Sequence, residues 1–309
     1  MTPFELLEPR SMRKAIALLD PDDSGVRPIS GGTALLLMMK AGVFRPTRLV
    51  SLRSVEQRYA AIRAAADGSL RIGALATLSA MAASPAVRRA LPVVTQTLRT
   101  LSNVRVRNVA TLGGHLAHAD PHLDLPPLLI ALGASITATG PAGERSIAVE
   151  NLFTGYYGTA LAADELITQV AIPSQRGKRA AYVKCTARSA DDWPSLGVAV
   201  VLDTNEGEGP EGEGPDASAA NIVISAATEM PVRLRAAEAV LRGGVIDEAA
   251  IRAAGETAAD EAQVIGDTSG SAAYKKQLVR VQVARAIRLA LESATSRPAS
   301  RSRGAHGGR

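Results

Sequence analysis

Cysteine is almost missing: Cys185 stands alone among 309 residues. One thiol cannot close an internal disulfide, nor can it supply the four thiolates an iron–sulfur cluster usually takes. The chain is therefore expected in the cytoplasm, and any such cluster would sit on another subunit. Aromatic residues make up 3% of the chain, nine in all, and Trp193 is the one tryptophan. This excludes an aromatic platform for single-stranded nucleic acid, which needs rings on which bases stack. No apolar run reaches the roughly 18 residues that span a bilayer, and the longest candidate, residues 34–39, stops at Lys40. Glu5, Glu8 and Arg10 lie where a secretory signal needs an unbroken apolar stretch.

What is present is a chain that is 46% apolar and long enough for about two domains. Its net charge of +5 invites a nucleic-acid reading, but residues 297–309 hold four arginines and no acid. Without them one net positive charge remains, so the basic balance reads as a solvated, disordered tail, not a binding stripe.

Periodicity and punctuation predict the elements. Helices are expected over 10–20, from Thr33, over 77–83, 84–91, 92–101 and 127–132, then near 231–242, 247–259 and 271–293. On the last of these, Tyr274, Leu278, Val281, Ala284, Ile287 and Leu291 recur at spacings of three and four and predict the packed face. Strands are expected over 45–52, 69–74, 135–139, in the stretch ending at Pro173, and over 181–186, 197–203 and 221–225. A domain boundary falls at SQRGKR, residues 174–179. The tandem EGEGP repeat at 206–216 has no apolar residue and predicts a disordered hairpin loop. It contains a formal GxGxxG, but Pro210 forbids a following helix and its glutamates repel a pyrophosphate, so it is no dinucleotide site.

Two glycine pairs are better placed: Ser30-Gly31-Gly32-Thr33, and Thr111-Leu112-Gly113-Gly114-His115. Backbone N–H groups in glycine turns can hold a diphosphate without cations, because no Cβ blocks close approach. A tight turn explains either pair alone; two such loops, each with a hydroxyl beside its glycines, point to a phosphate ester. His115, His118 and His122 alternate with Asp120 and Asp124. That composition suits zinc or non-haem iron. Pro121, Pro126 and Pro127 argue against a helix there, so the expectation is no metal, and loop polar groups that touch a ligand or cap a helix. No catalytic triad or carboxylate pair stands out, and no catalytic residue is assigned. Trp193 reads either as core packing or as a ring over a flat cofactor.

These residues resemble the FAD-binding medium subunit of molybdenum hydroxylases, the family of aerobic carbon monoxide dehydrogenase and of the xanthine dehydrogenase flavin domain. The resemblance runs from residue 1 to about 292. It rests on PISGGTALLLMMK (28–40), LRIGALATLSAM (70–81), VRNVATLGGHLAHADPHLDLPPLLIALGA (106–134), GERSIAVENLFTGYYGTALAADELITQVAIP (143–173) and YVKCTARSADDWPSLGVAV (182–200). The third segment is the most specific.

The resemblance implies an α+β protein: a two-lobed FAD-binding domain of the PCMH type over 1–175, with lobes of about 1–56 and 57–175, then a small C-terminal domain over 178–292. That second domain would hold a three-stranded antiparallel sheet and helices, followed by the tail at 293–309. It implies that Ser30, Gly31, Gly32, Thr33, Ala34 and Leu35, with Thr111, Leu112, Gly113, Gly114 and His115, wrap the diphosphate and ribityl chain. Asp124 would bond the ribityl or ribose part. Leu101 and Ile167 would pack near the isoalloxazine or adenine, Lys184 would face the polar edge of the flavin, and Trp193 would lie over the isoalloxazine. Relatives commonly carry Asn or Asp where this chain has His115, a departure that bears on redox potential.

Implied partners are a small subunit with two [2Fe–2S] clusters and a large subunit with the molybdenum cofactor, in a dimer of heterotrimers. Electrons would pass from the clusters to FAD and on to an external acceptor. The primary substrate (carbon monoxide, an N-heterocycle, a purine or an aldehyde) would be oxidised on the large subunit. No nucleic acid and no membrane span is expected, though a peripheral place at the inner membrane face stays open. Two other readings stay open at this point: a stand-alone FAD-dependent reductase or oxidase, and a non-flavin scaffold binding metal or phosphate.

Overall fold

The computed structural model describes residues 2–204 and 217–293. The expectations for the 206–216 repeat and for nearly all of the tail fall outside these residues.

The chain opens with β1 (Glu5–Leu7), α1 (Met12–Ala17), β2 (Val26–Ile29), α2 (Leu35–Lys40) and β3 (Arg48–Ser51). The strands form a parallel sheet in the order β1-β3-β2. Parallel neighbours need a crossover; α2 supplies the one between β2 and β3, and the first glycine pair is the turn that enters it.

A five-stranded antiparallel sheet follows, in the order β4-β5-β10-β6-β7. Its strands are β4 (Ile62–Ala64), β5 (Leu70–Gly73), β6 (Ser135–Gly140), β7 (Gly143–Ala148) and β10 (Leu166–Ile172), while β8 (Phe153–Gly155) and β9 (Gly158–Thr159) pair separately. Between β5 and β6 run α3 (Leu78–Ala83), α4 (Pro85–Ala90), α5 (Pro92–Thr100), α6 (Val104–Val109), α7 (Leu112–His118) and α8 (Leu125–Ala131). Each helix start carries a local signal. Thr77, Ser84, Asn103 and Thr111 each cap the following helix by accepting from a backbone N–H, and proline occupies the first turn of α4, α5 and α8. The short α6 was not expected from the sequence.

The C-terminal unit is an antiparallel sheet of β11 (Lys178–Cys185), β12 (Leu196–Thr204), β13 (Ala217–Ser225) and the two-residue β14 (Val232–Arg233). Three strands were expected; β14 adds a fourth at the edge. Then come α9 (Arg235–Val240), α10 (Glu248–Glu261) and α11 (Ala272–Glu292).

The register explains why β12 reads as one apolar run. Val198, Val200 and Leu202 join the C-terminal core beneath α11, whereas Ala199 and Val201 join the core of the N-terminal domain. A strand buried on both faces loses the alternation of a half-exposed one. The partner on the second face is α8, of which all seven residues are buried. A helix apolar all round belongs between two layers, and each of Leu128, Leu129 and Ile130 contributes about 2 kcal/mol there.

The packed face of α11 matches the expected one in part: Ile287 is buried, and Leu278, Ala284 and Leu291 are half-buried against the same core. The buried residues are Lys275, Val279, Val283, Ala286, Ile287 and Ala290, whereas Tyr274 and Val281 are exposed. The helix lies against β11 and β12, where the valine and alanine row with Ile287 faces inward, while Tyr274 and Val281 turn out. Lys275 is in phase with that buried row.

Candidate flavin site

The two glycine loops, distant in sequence, meet in space. Ser30 Oγ lies 2.9 Å from Thr111 Oγ1. A Cβ on Gly31 would stand 2.2 Å from the carbonyl oxygen of Val109 and 2.7 Å from the Cα of Ala110. Gly31 is therefore required by backbone-to-backbone contact between the loops. A Cβ on Gly114 would stand 2.6 Å from Ser30 Oγ and 3.0 Å from Thr111 Oγ1, and Gly113 is pressed against Ala74. Gly32 has φ +69°, the left-handed conformation that favours glycine.

The loops differ in the donors they leave open. In the second, the N–H groups of Leu112 and Gly113 bond the carbonyls of Ala76 and Ala74, Gly114 N–H bonds Thr111 Oγ1, and His115 N–H bonds the Thr111 carbonyl. This loop thus stitches itself to the segment after β5 and caps α7, and its N–H groups are already engaged. In the first loop, no protein acceptor among the described residues takes the N–H groups of Gly31, Gly32, Thr33 or Ala34, and these residues are half-buried. A half-buried run of open donors favours an anion.

Asp124 and Lys184, both expected to touch the flavin, touch each other. Lys184 Nζ donates to Asp124 Oδ2 at 3.1 Å and to the Thr100 carbonyl at 2.9 Å, while Tyr182 Oη donates to Asp124 Oδ1 at 2.8 Å. The pair is nearly inaccessible, at 8% and 6% side-chain exposure. Burial raises the Asp124 carboxyl above its ordinary range, opposed by Lys184 and Tyr182. Since Asp124 immediately precedes α8, without a side-chain cap bond to it, and Lys184 lies on β11, the pair joins the two domains. Leu101 and Ile167 are buried in the same N-terminal core. Arg107 clamps the chain beside Leu101 by donating to the carbonyls of Leu101 and Ser102.

The stretch from Thr111 onward corrects the expectation of a non-helical loop: residues Leu112–His118 are α7. The prolines begin only at 121, after Ala119 ends the helix in the left-handed conformation, so they do not oppose it. His115 and His118 therefore sit one turn apart, yet no cluster that could hold a metal occurs among the described residues. His115 Nε2 is inaccessible and without a partner. Burial, with His118 adding to it, lowers the His115 pKa to about 3, which keeps the ring neutral.

Trp193 is not core: it is 62% exposed. It stacks on His122 with ring centroids 5.7 Å apart and planes 13° apart. Tyr157, Tyr182, Asp267 and Lys275 share these networks, and nothing in the sequence marks them; only the in-phase position of Lys275 on α11 is a usable signal.

Comparison with known proteins decides what the paired loops belong to. The family described as "FAD binding domain in molybdopterin dehydrogenase" matches residues 2–175. The chain belongs to that family. Residues 181–290 match the "CO dehydrogenase flavoprotein C-terminal domain". Among curated relatives, the carbon monoxide dehydrogenase medium chain of Afipia carboxidovorans is 30% identical over 92% of this chain and 95% of its own. The nicotine 6-hydroxylase medium subunit of Paenarthrobacter nicotinovorans is 34% identical over 90% of this chain and 94% of its own. A solved structure of reconstituted CO dehydrogenase from Oligotropha carboxidovorans superposes with TM-score 0.87, at 30% identity over 95% of this chain and 99% of that one.

This family member is thus an oxidoreductase subunit with an FAD-binding domain, as its resemblance implies. The residues fit FAD through the open N–H groups of the first loop and the Ser30 and Thr111 hydroxyls, with the exposed Gly114 placing no side chain beside them. No helix among the described residues is long and apolar enough to cross a membrane.

Proposed function

We propose that this chain is the FAD-carrying electron-transfer subunit of a heterotrimeric molybdenum hydroxylase. The observation that carries the reading is the convergence of the two glycine loops, one with four open backbone N–H donors, within a family of FAD-binding subunits. The residues proposed to hold the diphosphate and ribityl chain are Ser30, Gly31, Gly32, Thr33, Ala34 and Leu35 by backbone and hydroxyl groups, with Thr111, Gly114 and His115 at the facing wall. Leu112 and Gly113 support that wall from behind. Leu101, Ile167 and Trp193 supply apolar and aromatic surface, and Asp124 and Lys184 act as one polar unit with lone pairs and one N–H to spare. When bound, FAD supplies the redox chemistry, accepting electrons singly from iron–sulfur clusters and releasing them in pairs to an external acceptor.

The clusters would lie on a small subunit and the molybdenum cofactor on a large one, assembled as a dimer of heterotrimers. Cys185 is the only cysteine here, consistent with that division. The substrate is set elsewhere. Medium subunits related at 30% and 34% identity serve enzymes named for carbon monoxide and for nicotine, so this subunit does not track what is oxidised.

Purification from the native host with whatever accompanies the chain tests the reading by visible spectrum and metal analysis. Flavin absorbance, iron, molybdenum and two companion chains are expected. Flavin on a solitary chain would point to a stand-alone flavoenzyme. No flavin, even after reconstitution with FAD, would overturn the site.

A further inference from the structure

The turn between α7 and α8 is gripped from both domains by one hydrogen-bonded chain. His122 Nδ1 lies 3.0 Å from Asp120 Oδ1 and its Nε2 3.4 Å from Asp267 Oδ2. Behind Asp120 stands Tyr157, whose hydroxyl donates to Oδ2 at 2.7 Å. Behind Asp267 stands Lys275, wholly buried, which donates to Asp267 Oδ2 at 2.7 Å and to the Ala226 carbonyl at 3.0 Å. Ala226 N–H in turn bonds the Pro121 carbonyl at 2.9 Å. Tyr157, Asp120 and His122 belong to the FAD-binding domain, Asp267 and Lys275 to the C-terminal one.

We propose that His122, as an imidazolium, is a positioning residue that clasps the two domains together at the turn joining α7 to α8, the helices that carry Gly114 and Asp124. The chemistry is specific. Each ring nitrogen faces a carboxylate, so only the doubly protonated ring donates to both; a neutral ring turns a lone pair toward one of them. Of the other groups nearby, His118 Nε2 lies 3.9 Å from Asp120 Oδ2, the oxygen that Tyr157 bonds and His122 does not, and burial lowers its pKa against the pull of Asp120; Arg188 pairs with Asp192 at 3.2 Å in the loop that carries Trp193.

The hydrogen bond to Asp120, against the cost of burial, raises the His122 pKa above its ordinary 6.5. The clasp is therefore complete below the unfolded value and is lost as pH rises through the raised folded value. The consequence for FAD rests on the function proposed above; the clasp itself does not.

Trp193 is the sole tryptophan and stacks on the His122 ring, so its fluorescence reports the proton directly. The full chain is titrated from about pH 5.5 to about pH 9, which spans a perturbed histidine. Expected is an increase in emission with a midpoint above 6.5 as the quenching imidazolium is lost, absent in His122→Asn. A flat curve, or the same curve in the variant, overturns the clasp. Should His122→Asn not fold, NMR of the imidazole rings in the unaltered chain decides: one ring titrating above 6.5 is expected, and none overturns.

For positioning, FAD release from the holoprotein is followed on both sides of the midpoint. Release about tenfold faster on the alkaline side is expected, the equivalent of one charged hydrogen bond, and pH-independent release in His122→Asn. Equal release on both sides overturns the positioning role. If FAD never binds, the function reading fails, and the Trp193 curve still decides the clasp.

Discussion

At Gly31 and Gly114 the same residue type serves two different constraints. A methyl group at Gly31 meets backbone at 2.2 Å, and backbone cannot rotate away. Gly31→Ala is therefore expected to lower stability by about 2 kcal/mol and to reduce FAD content, read by thermal denaturation and by the flavin-to-protein absorbance ratio. At Gly114 the obstacle is the Ser30 hydroxyl at 2.6 Å, which turns aside for one methyl but not for a branched side chain. Gly114→Ala should retain most FAD and Gly114→Val should lose it with the fold intact; equal FAD content in both variants and the parent would remove this loop from the site. The buried pair of Asp124 and Lys184 makes a sharper case. Lys184→Met leaves a desolvated carboxylate and is expected to cost about 3–5 kcal/mol. Asp124→Leu combined with Lys184→Met should recover much of it. A cost near zero for the single variant would mean that Asp124 is not held in its charged form.

At the scale of elements, α7 depends on its cap. Thr111 accepts from Gly114 N–H at 3.2 Å and touches Ser30 Oγ. Thr111→Ala should cost about 1 kcal/mol through the cap alone, with a further loss in FAD affinity from the missing hydroxyl. Thr111→Ser should restore both, and differential scanning calorimetry with FAD titration separates the two effects. Helix α8 shows how much of this region is read from pattern. Its apolar run is visible in the sequence, but a run of seven apolar residues serves a strand or a buried helix equally well. Pro126 and Pro127 in the first turn choose the helix. Helix α7 was missed for a related reason: prolines nine or more residues beyond its start count against a helix only if it reaches them, and Ala119 ends it first.

For the whole molecule, the interface between the domains is apolar in the middle, where α8 lies under β12 and β13, and polar at the rim. The polar contacts around that middle are the buried Asp124–Lys184 pair, the His122 chain, and Asn221 Nδ2 donating to the Ala131 carbonyl at 2.7 Å. A rim of directional bonds around an apolar centre fixes orientation, which a purely apolar contact leaves loose. Thr204 and Ala217, which flank the acidic repeat, pair directly with each other on the C-terminal sheet, while the glycine loops belong to the other domain. Replacement of 206–216 by a short turn is thus expected to leave FAD content unchanged; a large loss on reconstitution would refute this.

The sequence by itself determined a good deal. Helix starts follow from side-chain caps and prolines that act within one turn, strands from apolar runs, and the two glycine pairs stand out because a hydroxyl and two glycines together are a local backbone instruction. The motif order over five segments was sufficient to identify the family. Tertiary structure alone decided what those groups do. That Gly31 abuts Val109, that the N–H groups of Leu112 and Gly113 are already bonded, that Asp124 holds Lys184 and that Trp193 lies on His122 all depend on residues 36 to 78 positions apart. Lys275 is the clearest case. Its charge predicts exposure, its phase on α11 predicts burial, and the carboxylate that reconciles the two comes from Asp267. Local pattern carries propensity and period; partners across the fold carry charge state, donor use and orientation, because those are fixed only when the layers close.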